Sequence, residues 1–470
     1  MVDFSGRRVV VAGAAVAGAA SAAALLLRGA EVTVVDRAAS ARTEELAAAG
    51  AVVLLADAPP AGLFDGVTDV VVSPGFPPHH PIAAAAVAAG LDVYSEPELA
   101  WRLRGPGAPP WLAVTGTNGK TTTVTMLAAM LQAAGLRTAA LGNIGVALVD
   151  AAPDTSHDVL AVELSSFQLH WSRTLAPEAG ALLNLADDHL EWHGDFAAYA
   201  RAKTAIWRSA ASLDAGAGVA VGNVDDERVA VLLAGVSGRR VGVTLAEPAP
   251  GQFGVVDGTL VDRTGGESIA LAPVSEVRPA GAHNVSNALH AAALARAYGV
   301  PAEAVAAGLA GYVPEPHRNA HVATVDGAAY VDDSKATNPH AAYASLSAYP
   351  RIIWVAGGQL KGVDVSDLVA AVAGRLTGAV LLGVDRASIA EALARHAPDV
   401  PVIDIASTDD GAMGEAVHAA RRLATPGDTV LLAPAAASLD MYASYAARGR
   451  AFAAAVRALP TDALASGASA

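Results

Sequence analysis

The chain has 470 residues, 53% of them hydrophobic, and carries a formal net charge of −15 with no cysteine. Its length suggests roughly three domains of about 150 residues each. The acidic balance argues against a nucleic-acid partner, because a protein that binds the phosphate backbone normally presents a basic face. No stretch is apolar over the about 20 residues that a membrane span requires, so membrane insertion is not expected. The absence of cysteine excludes disulfides and thiolate metal sites, which fits a cytoplasmic location.

Residues 1–108 alternate short valine-rich runs with alanine-rich helical patterns. This alternation predicts a doubly wound parallel sheet, as in a Rossmann-like domain. At its start, Val9–Val11 leads through a Gly/Ala turn and a helical pattern into a second strand, Glu31–Asp36. We therefore interpret the N-terminus as a folded βαβ unit rather than a signal peptide.

The turn Gly13–Gly18 stands where a dinucleotide fingerprint would stand, but Ala15 occupies the position of its middle glycine. The pattern is weak evidence for NAD. It is better evidence for a nucleotide or sugar phosphate at a helix N-terminus, with Asp36 accepting hydrogen bonds from ribose or uracil. A second turn, Ser73-Pro74-Gly75, follows another strand at the same edge of the predicted sheet, although by itself it fits a plain turn.

A Gly/Pro-rich linker at residues 104–110 precedes the clearest motif of the chain. The motif consists of Gly116, Thr117, Asn118, Gly119, Lys120, Thr121 and Thr122. A strand before it and a helix after it make a phosphate cradle, in which backbone N–H groups and the helix dipole face the anion and Lys120 reaches the terminal phosphates. The hydroxyl of Thr121 is placed to meet Mg²⁺. Val114 replaces the first glycine of the full Walker pattern, so the motif is a shortened P-loop that predicts ATP binding.

The second predicted domain, residues 109–312, places polar groups after further strands. Glu163 ends the predicted strand 159–163, and a carboxylate beside a P-loop is well placed to hold a metal ion. His189 follows two aspartates after a predicted strand at 181–184, and contact with a metal ion or substrate is as open for it as a structural role. Lys203, taken alone, is typical of a surface lysine.

Asn284 and Asn287 begin a long predicted helix, where they suit either capping or ligand contact. The third predicted domain, residues 313–470, repeats the alternation of strands and polar loops. Its loops at 332–339, 357–362 and 433–440 follow strands, so we expect them at one edge of a second doubly wound sheet.

With these motifs in this order, the chain resembles the Mur ligases, the ATP-dependent amino-acid ligases of peptidoglycan precursor synthesis. The resemblance covers essentially the whole length and implies three α/β domains: Rossmann-like, central P-loop and C-terminal Rossmann-like. Beyond the P-loop it rests on Glu163–Leu169, Asp333–Asn338 and Ala437–Asp440. These segments are similar to those of the D-glutamate-adding members. The diaminopimelate- or lysine-adding members would show a Tyr-Ala-His-Asn-Pro type segment in place of Asp333–Asn338, and the L-alanine-adding members a histidine in place of Asn118.

The resemblance implies ATP, UDP-N-acetylmuramoyl-L-alanine and D-glutamate as substrates, an acyl-phosphate intermediate, two Mg²⁺ ions and a monomeric enzyme. It implies catalytic roles for Lys120, Glu163, His189, Lys203 and Lys335. It implies metal contacts from Thr121, Glu163, His189 and a carbamylated Lys203. Carbamylation would replace an ammonium that repels Mg²⁺ with an anion that supports it.

The resemblance also distributes the binding residues over the three domains. The residues implied to bind ATP, in addition to the P-loop, are Asn287, Arg318 and Asp333. Those implied to bind the UDP-sugar are Val16, Ala17, Asp36, Ser73, Pro74, Gly75, Asn143, Ser165 and His189. Those implied to bind D-glutamate are Thr337, Lys361, Ser438, Leu439 and Tyr445.

The chain departs from the family pattern at Ala15, at Glu191-Trp192, at Leu360 and at Ala433. The first of these leaves the uridine contacts the least defined. Two alternatives remain, an NAD-dependent oxidoreductase and a non-catalytic nucleotide-binding protein of the same fold. The P-loop and Ala15 argue against the oxidoreductase, and the presence of all the implied catalytic residues argues against the non-catalytic protein.

Overall fold

A computed structural model describes residues 2–151, 155–211, 218–409 and 411–460. The chain divides into two compact units, Met1–Glu276 with Ser286–Tyr312, and Val277–Val285 with Val313–Ala470. Two β-sheets lie in the first unit and one lies in the second. The domain boundaries after residues 108 and 312 stay a prediction.

The first sheet contains five parallel strands in the order β3-β2-β1-β4-β5. The strands are β1 Arg8–Ala12, β2 Glu31–Asp36, β3 Val52–Leu55, β4 Asp69–Val72 and β5 Asp92–Ser95. The helices are α1 Val16–Leu26, α2 Ala41–Ala48, α3 Pro81–Ala88 and α4 Glu96–Leu103. From β1 to β3 the strands are added towards one side of the sheet, and β4 and β5 are added on the other side of β1. The loops that follow β1 and β4 therefore lie side by side, at the position where doubly wound sheets bind ligands.

The second sheet contains nine strands in the order β14-β13-β12-β11-β10-β9-β6-β8-β7. The strands are β6 Trp111–Thr115, β7 Ala140–Gly142, β8 Leu160–Glu163, β9 Ala179–Leu182, β10 Val219–Asn223, β11 Arg239–Val243, β12 Gln252–Val256, β13 Thr259–Asp262 and β14 Ile269–Pro273. The helices are α5 Lys120–Ala133, α6 Leu148–Ala151, α7 Ser166–His170, α8 Leu190–His193, α9 Phe196–Thr204, α10 Glu227–Ala234, α11 Ala282–Ala297 and α12 Ala302–Ala310. Strands β6 to β12 pair in parallel, and β12, β13 and β14 form an antiparallel extension.

The strand predicted at 181–184 lies two residues earlier, at Ala179–Leu182. Pairing with β6 determines where this strand begins and ends. Leu112, the second residue of β6, pairs with Ala179, and Thr115, its last residue, pairs with Leu182. Asn184 therefore lies beyond the strand, in the loop at the carboxyl edge of the sheet.

The third sheet has the order β15-β16-β20-β17-β18-β19. Its strands are β15 Ala320–Val325, β16 Ala328–Asp332, β17 Ile352–Ala356, β18 Leu376–Leu381, β19 Val402–Asp404 and β20 Thr429–Leu432. Its helices are α13 Pro339–Leu346, α14 Ser366–Val372, α15 Arg386–His396, α16 Ala412–Leu423 and α17 Tyr445–Arg457. The central strands are buried on both faces. Among the strands that the structure describes in this sheet, β15 and β16 pair antiparallel and the other neighbouring strands pair in parallel. Within the described residues, none of the helices combines the length and apolarity that a membrane span needs.

Candidate active site

The P-loop joins the end of β6 to the start of α5. Gly119 adopts the left-handed conformation, with φ 86°, immediately before the helix. Lys120 is the first residue of α5, and its Nζ donates 2.9 Å hydrogen bonds to the carbonyls of Gly116 and Thr117. The ammonium thus lies across the loop at the N-terminus of α5, and a glycine turn that leads into a helix N-terminus is the arrangement that binds phosphate.

A carboxylate and a hydroxyl meet beside this loop. Strands β6 and β8 pair with Val114 opposite Glu163, so the carboxylate ends its strand level with the P-loop. Glu163 Oε2 accepts a 2.7 Å hydrogen bond from Thr121 Oγ1, and Oε1 accepts a 2.9 Å bond from Asn143 Nδ2. The pairing fixes the orientation of a carboxylate that is only 2% exposed.

These oxygen atoms fit Mg²⁺, which binds hard oxygen ligands and usually keeps waters and substrate phosphates in its shell. In the part of the chain that the structure describes, no three His, Asp or Glu side chains converge as a metal-binding group. Thr121 and Glu163 supply two oxygen ligands, which suits a cation that also binds nucleotide phosphates.

Lys203 is not the surface lysine that its local sequence indicates. It lies on α9 with 2% exposure, and its Nζ donates to the Gly116 carbonyl at 2.7 Å and to Thr115 Oγ1 at 3.4 Å. Burial, reinforced by the nearby Lys120 ammonium, lowers the pKa of Lys203 well below its usual value. A lysine in this environment is more readily a neutral amine than an exposed one.

A pocket of about 140 Å³ opens over the P-loop. It is lined by Gly116, Thr117, Lys120, Asn143, Ser165, Ser166, Phe167, Asp188, His189, Tyr199 and Lys203. The structure thus brings three of the predicted catalytic side chains to one cavity, together with two residues predicted to meet the UDP-sugar.

His189 stands at this pocket in a left-handed backbone conformation, φ 55°, directly before α8. Its ring centroid is 4.7 Å from that of Phe167, and Nε2 is 3.5 Å from Asp188 Oδ2. Burial lowers the pKa of His189, an effect that the neighbouring carboxylates oppose, so the neutral imidazole is favoured near neutral pH. A neutral imidazole is the form that can bind a metal ion.

Two residues without a predicted role shape the P-loop. Asn184 accepts a 2.9 Å bond from the backbone N–H of Asn118 and donates a 3.1 Å bond to its carbonyl. The hydroxyls of Tyr199 and Thr117 lie 2.7 Å apart. The sequence offered one sign that Tyr199 lies near the site: it stands four residues before Lys203, which places both side chains on the same face of a helix.

Asn287 lies on α11 against the P-loop. Gly119 has a positive φ that favours glycine, and a Cβ placed on it would also collide with Asn287 Oδ1, so the side chain of Asn287 packs directly over this turn. The predicted ATP residue of this helix is therefore adjacent to the phosphate cradle.

The residues predicted to meet uridine and sugar cluster at the carboxyl edge of the first sheet. They are Val16, Ala17, Asp36, Ser73, Pro74 and Gly75. Asp36 Oδ2 accepts a 2.6 Å bond from the backbone N–H of Ala14, and Ser73 Oγ donates a 3.2 Å bond to the Gly13 carbonyl. Both side chains thus brace the Gly13 loop, and their contacts with a ligand stay a prediction.

The second unit carries the other predicted ATP residues at the end of β16. Asp333 accepts a 3.2 Å bond from the backbone N–H of Asn319, and burial raises its pKa to about 6, with Arg318 acting in the opposite direction. Lys335 Nζ lies 4.2 Å from the ring centroid of Tyr445. These groups share one edge of the third sheet.

The predicted D-glutamate residues are Thr337, Lys361, Ser438, Leu439 and Tyr445. The loops after β17 and β20, which carry three of them, are joined by an antiparallel bridge between Gln359 and Ala437. Lys361 is exposed with φ 55°, Ser438 is buried and Leu439 is 65% exposed. The structure places these residues on neighbouring loops of the second unit, and their contacts with an amino acid stay a prediction.

A P-loop, a paired carboxylate and hydroxyl, and a buried lysine define a class of ATP-using α/β enzyme. Comparison with protein families narrows this class. Residues 114–295 match the Mur ligase middle domain, and residues 317–436 match the Mur ligase glutamate ligase domain. This chain belongs to the Mur ligase family, so the resemblance inferred from the sequence is confirmed, and the alternative of an NAD-dependent oxidoreductase is set aside.

Its similarity to individual members is high. A UDP-N-acetylmuramoylalanine–D-glutamate ligase from Streptomyces avermitilis is 56% identical over 410 residues, covering 85% of this chain and 86% of that protein. The ligase of the same name from Thermobifida fusca is 54% identical over 413 residues, covering 85% and 87%.

The fold is shared more widely than the sequence. The solved structure of a UDP-N-acetylmuramate–alanine ligase from Thermotoga maritima superposes with a TM-score of 0.57 at 16% identity, covering 96% of this chain and 99% of that chain. At this identity the similarity shows the fold alone, and it confirms the predicted three-domain α/β fold.

Proposed function

We propose that this chain is an ATP-dependent ligase that joins D-glutamate to UDP-N-acetylmuramoyl-L-alanine, with release of ADP and phosphate. The observation that carries the proposal is 56% identity, over 85% of the chain, to a ligase named for this reaction. The P-loop geometry alone suits any ATP-dependent ligase of the family. We propose the cytoplasm, where ATP and UDP-sugars are made, as its location and a monomer as its active form.

The reaction needs two steps because a carboxylate is a poor acyl donor. In the first step, an oxygen of the alanine carboxylate attacks the γ-phosphorus of ATP, the bond to the bridging oxygen breaks, and ADP leaves. In the second step, the neutral amine of D-glutamate attacks the acyl carbon through a tetrahedral intermediate. Phosphate then leaves, and the new amide nitrogen loses a proton.

The first-unit residues support the first step. The ammonium of Lys120, bonded to the Gly116 and Thr117 carbonyls, offsets charge on the transferring phosphoryl group. Thr121 and Glu163 would hold Mg²⁺, which supplies further positive charge at the phosphates when it is bound. Asn287 and, from the second unit, Arg318, Asp333 and Lys335 are proposed to bind the nucleotide.

A second Mg²⁺ is proposed near His189 and a carbamylated Lys203. Lys203 is 2% exposed and flanked by another ammonium, so its unmodified cationic form is unfavourable there. Addition of neutral Nζ to CO₂ forms an N–C bond, releases a proton and leaves an anion in place of the cation. The proposed carbamate is consistent with a site that must accept a metal ion.

Substrate specificity is proposed to come from the carboxyl edges of the first and third sheets. The loops bearing Asp36 and Ser73 would receive the UDP-sugar, with Asn143 and Ser165 at the pocket end of that substrate. Lys361 would pair with a carboxylate of D-glutamate.

An amino-acid panel tests the proposal. Phosphate release is measured with ATP, Mg²⁺ and UDP-N-acetylmuramoyl-L-alanine in the presence of D-glutamate, L-glutamate, L-alanine, L-lysine or diaminopimelate. Of these amino acids, we expect D-glutamate to be the one that supports phosphate release. We expect no release when the UDP-sugar is omitted. Equal turnover with lysine or diaminopimelate, or ATP hydrolysis indifferent to D-glutamate, would contradict the proposal, and no turnover at all would favour the non-catalytic alternative.

A further inference from the structure

Arg448 is a buried cation at the predicted D-glutamate edge of the second unit. It lies on α17 with 1% exposure. Burial lowers the pKa of Arg448 to about 10, so the guanidinium remains charged at neutral pH. A buried charge is tolerated only when its N–H groups are hydrogen-bonded, and the identity of its partners therefore indicates what it does.

Its hydrogen bonds go to three separate loops. Nε donates to Ser334 Oγ at 3.0 Å, and Nη2 donates to the Ser334 carbonyl at 2.9 Å. Nη1 donates to the carbonyls of Ala436, at 3.0 Å, and Gly357, at 3.3 Å. Among the described residues, these four bonds all end on loop carbonyls or a hydroxyl rather than on a carboxylate.

The three loops follow three adjacent strands, β16, β20 and β17. The first loop contains Lys335 and Thr337, the second contains Ser438, and the third contains Lys361. A single guanidinium therefore connects the loops that carry predicted substrate residues, through four bonds to groups of the protein itself.

Two of these loops have a backbone that needs support. Lys361 and Ala435 adopt left-handed conformations, with φ 55° and 59°, that non-glycine residues rarely keep without surrounding constraints. Gly358 has φ 134°, and a Cβ there would collide with the Ala437 carbonyl and stand 3.2 Å from Arg448 Nη1. The loops after β17 and β20 therefore pack closely against each other beside the guanidinium.

We propose that Arg448 is a positioning residue for the amino-acid substrate. By joining the Gly357 and Ala436 carbonyls to Ser334, it sets the spacing between the groups that receive D-glutamate. The inference rests on the proposed function for the identity of that amino acid. All three loops also have bonds of their own. Ser334 Oγ donates to the Tyr445 carbonyl at 2.8 Å, and the backbones of Gln359 and Ala437 exchange two 2.9 Å bonds. Loss of the guanidinium is therefore expected to shift the loops relative to one another rather than to separate them.

Arg448→Lys tests this role. Lysine keeps the charge but replaces a planar fork with a point donor that cannot span three loops. We expect the KM for D-glutamate to rise about 10- to 100-fold, because a displacement of about 1 Å can cost up to 100-fold. The KM for the UDP-sugar should change less than about threefold, because its predicted contacts lie on the first sheet. The KM for ATP should rise less than that for D-glutamate, because Asp333 and Lys335 flank Ser334 but the P-loop is held by other contacts.

Arg450→Lys is the matched control, since Arg450 is exposed on the same helix. The first half-reaction provides a second readout: acyl phosphate formed without D-glutamate is trapped with hydroxylamine and counted. Arg448→Lys should retain this step. If thermal unfolding shows that the variant is not folded, Ser334→Ala should show the same selective rise in KM to a smaller degree, because it removes the acceptor of Nε and the donor to the Tyr445 carbonyl but leaves the other three bonds of Arg448 in place.

The outcomes separate the inference from the proposed function. Equal losses for all three substrates, or an unchanged KM for D-glutamate in a folded variant, would overturn the positioning role alone. Wild-type enzyme that turns over without D-glutamate would instead overturn the proposed function, and the inference with it.

Discussion

Two lysines donate to the same carbonyl, that of Gly116: Lys120 at 2.9 Å and Lys203 at 2.7 Å. Like charges this close disfavour the doubly protonated state, and the more buried partner loses its proton first. Burial and Lys120 both lower the pKa of Lys203. The site therefore favours the amine form of Lys203 beside the Lys120 side chain that faces the phosphate position.

Lys120→Ala is expected to lower kcat by about 100- to 1,000-fold, the usual cost of removing one preorganised group that stabilises transition-state charge. The side chain is half-buried and its bonds to the Gly116 and Thr117 carbonyls lie in the phosphate loop rather than in the hydrophobic core, so cooperative thermal unfolding should persist. Turnover and circular-dichroism melting are measured on the same preparation, with Lys120→Arg as the charge-retaining control. A near-normal rate for the alanine variant would refute the role of the lysine.

At the scale of elements, α4 connects the first sheet to segments around the second. Glu98, fully buried, accepts hydrogen bonds from Thr174 Oγ1 at 2.6 Å and from the backbone N–H of Leu175 at 3.0 Å. Glu96, 2% exposed and two residues earlier on the helix, accepts a 2.7 Å bond from the backbone N–H of Val149. Both glutamates thus join α4, a helix of the first sheet, to segments that flank strands of the second sheet. Their pKa values are shifted in opposite directions.

Burial raises the pKa of Glu96 to about 7, and its backbone hydrogen bond only limits the rise. Burial would also raise the pKa of Glu98, but the hydrogen bonds from Thr174 and Leu175 outweigh it and lower the pKa. The raised pKa of Glu96 contributes stability at low pH that is lost as pH rises towards 7. The lowered pKa of Glu98 contributes stability at neutral pH that is lost on acidification.

Glu96→Gln should therefore reduce the fall in stability between pH 5 and pH 8. The shift from 4.5 to about 7 corresponds to about 3 kcal/mol of unfolding free energy in total, most of which is lost within that range. Glu98→Gln, its matched control on the same helix, should destabilise most at neutral pH and progressively less below about pH 4. Urea unfolding at several pH values measures both differences. Parallel pH profiles for the two variants and the wild type would contradict the assignment.

At the scale of the whole molecule, local signals predicted the sheets and the P-loop because a strand, a glycine turn and a helix start depend on neighbouring residues. Burial of Lys203 could not be predicted in this way, because it results from contact with Gly116, 87 residues away in the chain. The loop connections of Arg448 and the strand β9 register likewise depend on distant partners. The resemblance to a family supplied roles for residues whose surroundings the sequence alone did not describe.

One global signal was present in the composition but carried no prediction. Of 31 basic residues only four are lysines, Lys120, Lys203, Lys335 and Lys361, and all four lie at predicted site positions. The other basic residues are arginines, and they include Arg448, which is buried and hydrogen-bonded to three loops. Lysine differs from arginine in being a compact ammonium that can lose its proton, so its restriction to these positions fits chemistry rather than general surface charge.

This scarcity makes amine labelling a test of the whole site. An amine-selective reagent can modify only four side chains and the N-terminal amine, and Lys203 should react slowest because it is 2% exposed. Labelling is followed by mass spectrometry alongside residual activity. Saturating Mg²⁺–ATP should protect Lys120 from labelling and preserve activity, whereas D-glutamate should protect the exposed Lys361 and leave Lys120 reactive. Full modification of Lys120 with retained turnover, or protection of Lys361 by ATP but not by D-glutamate, would show that the lysines do not serve the substrates proposed for them.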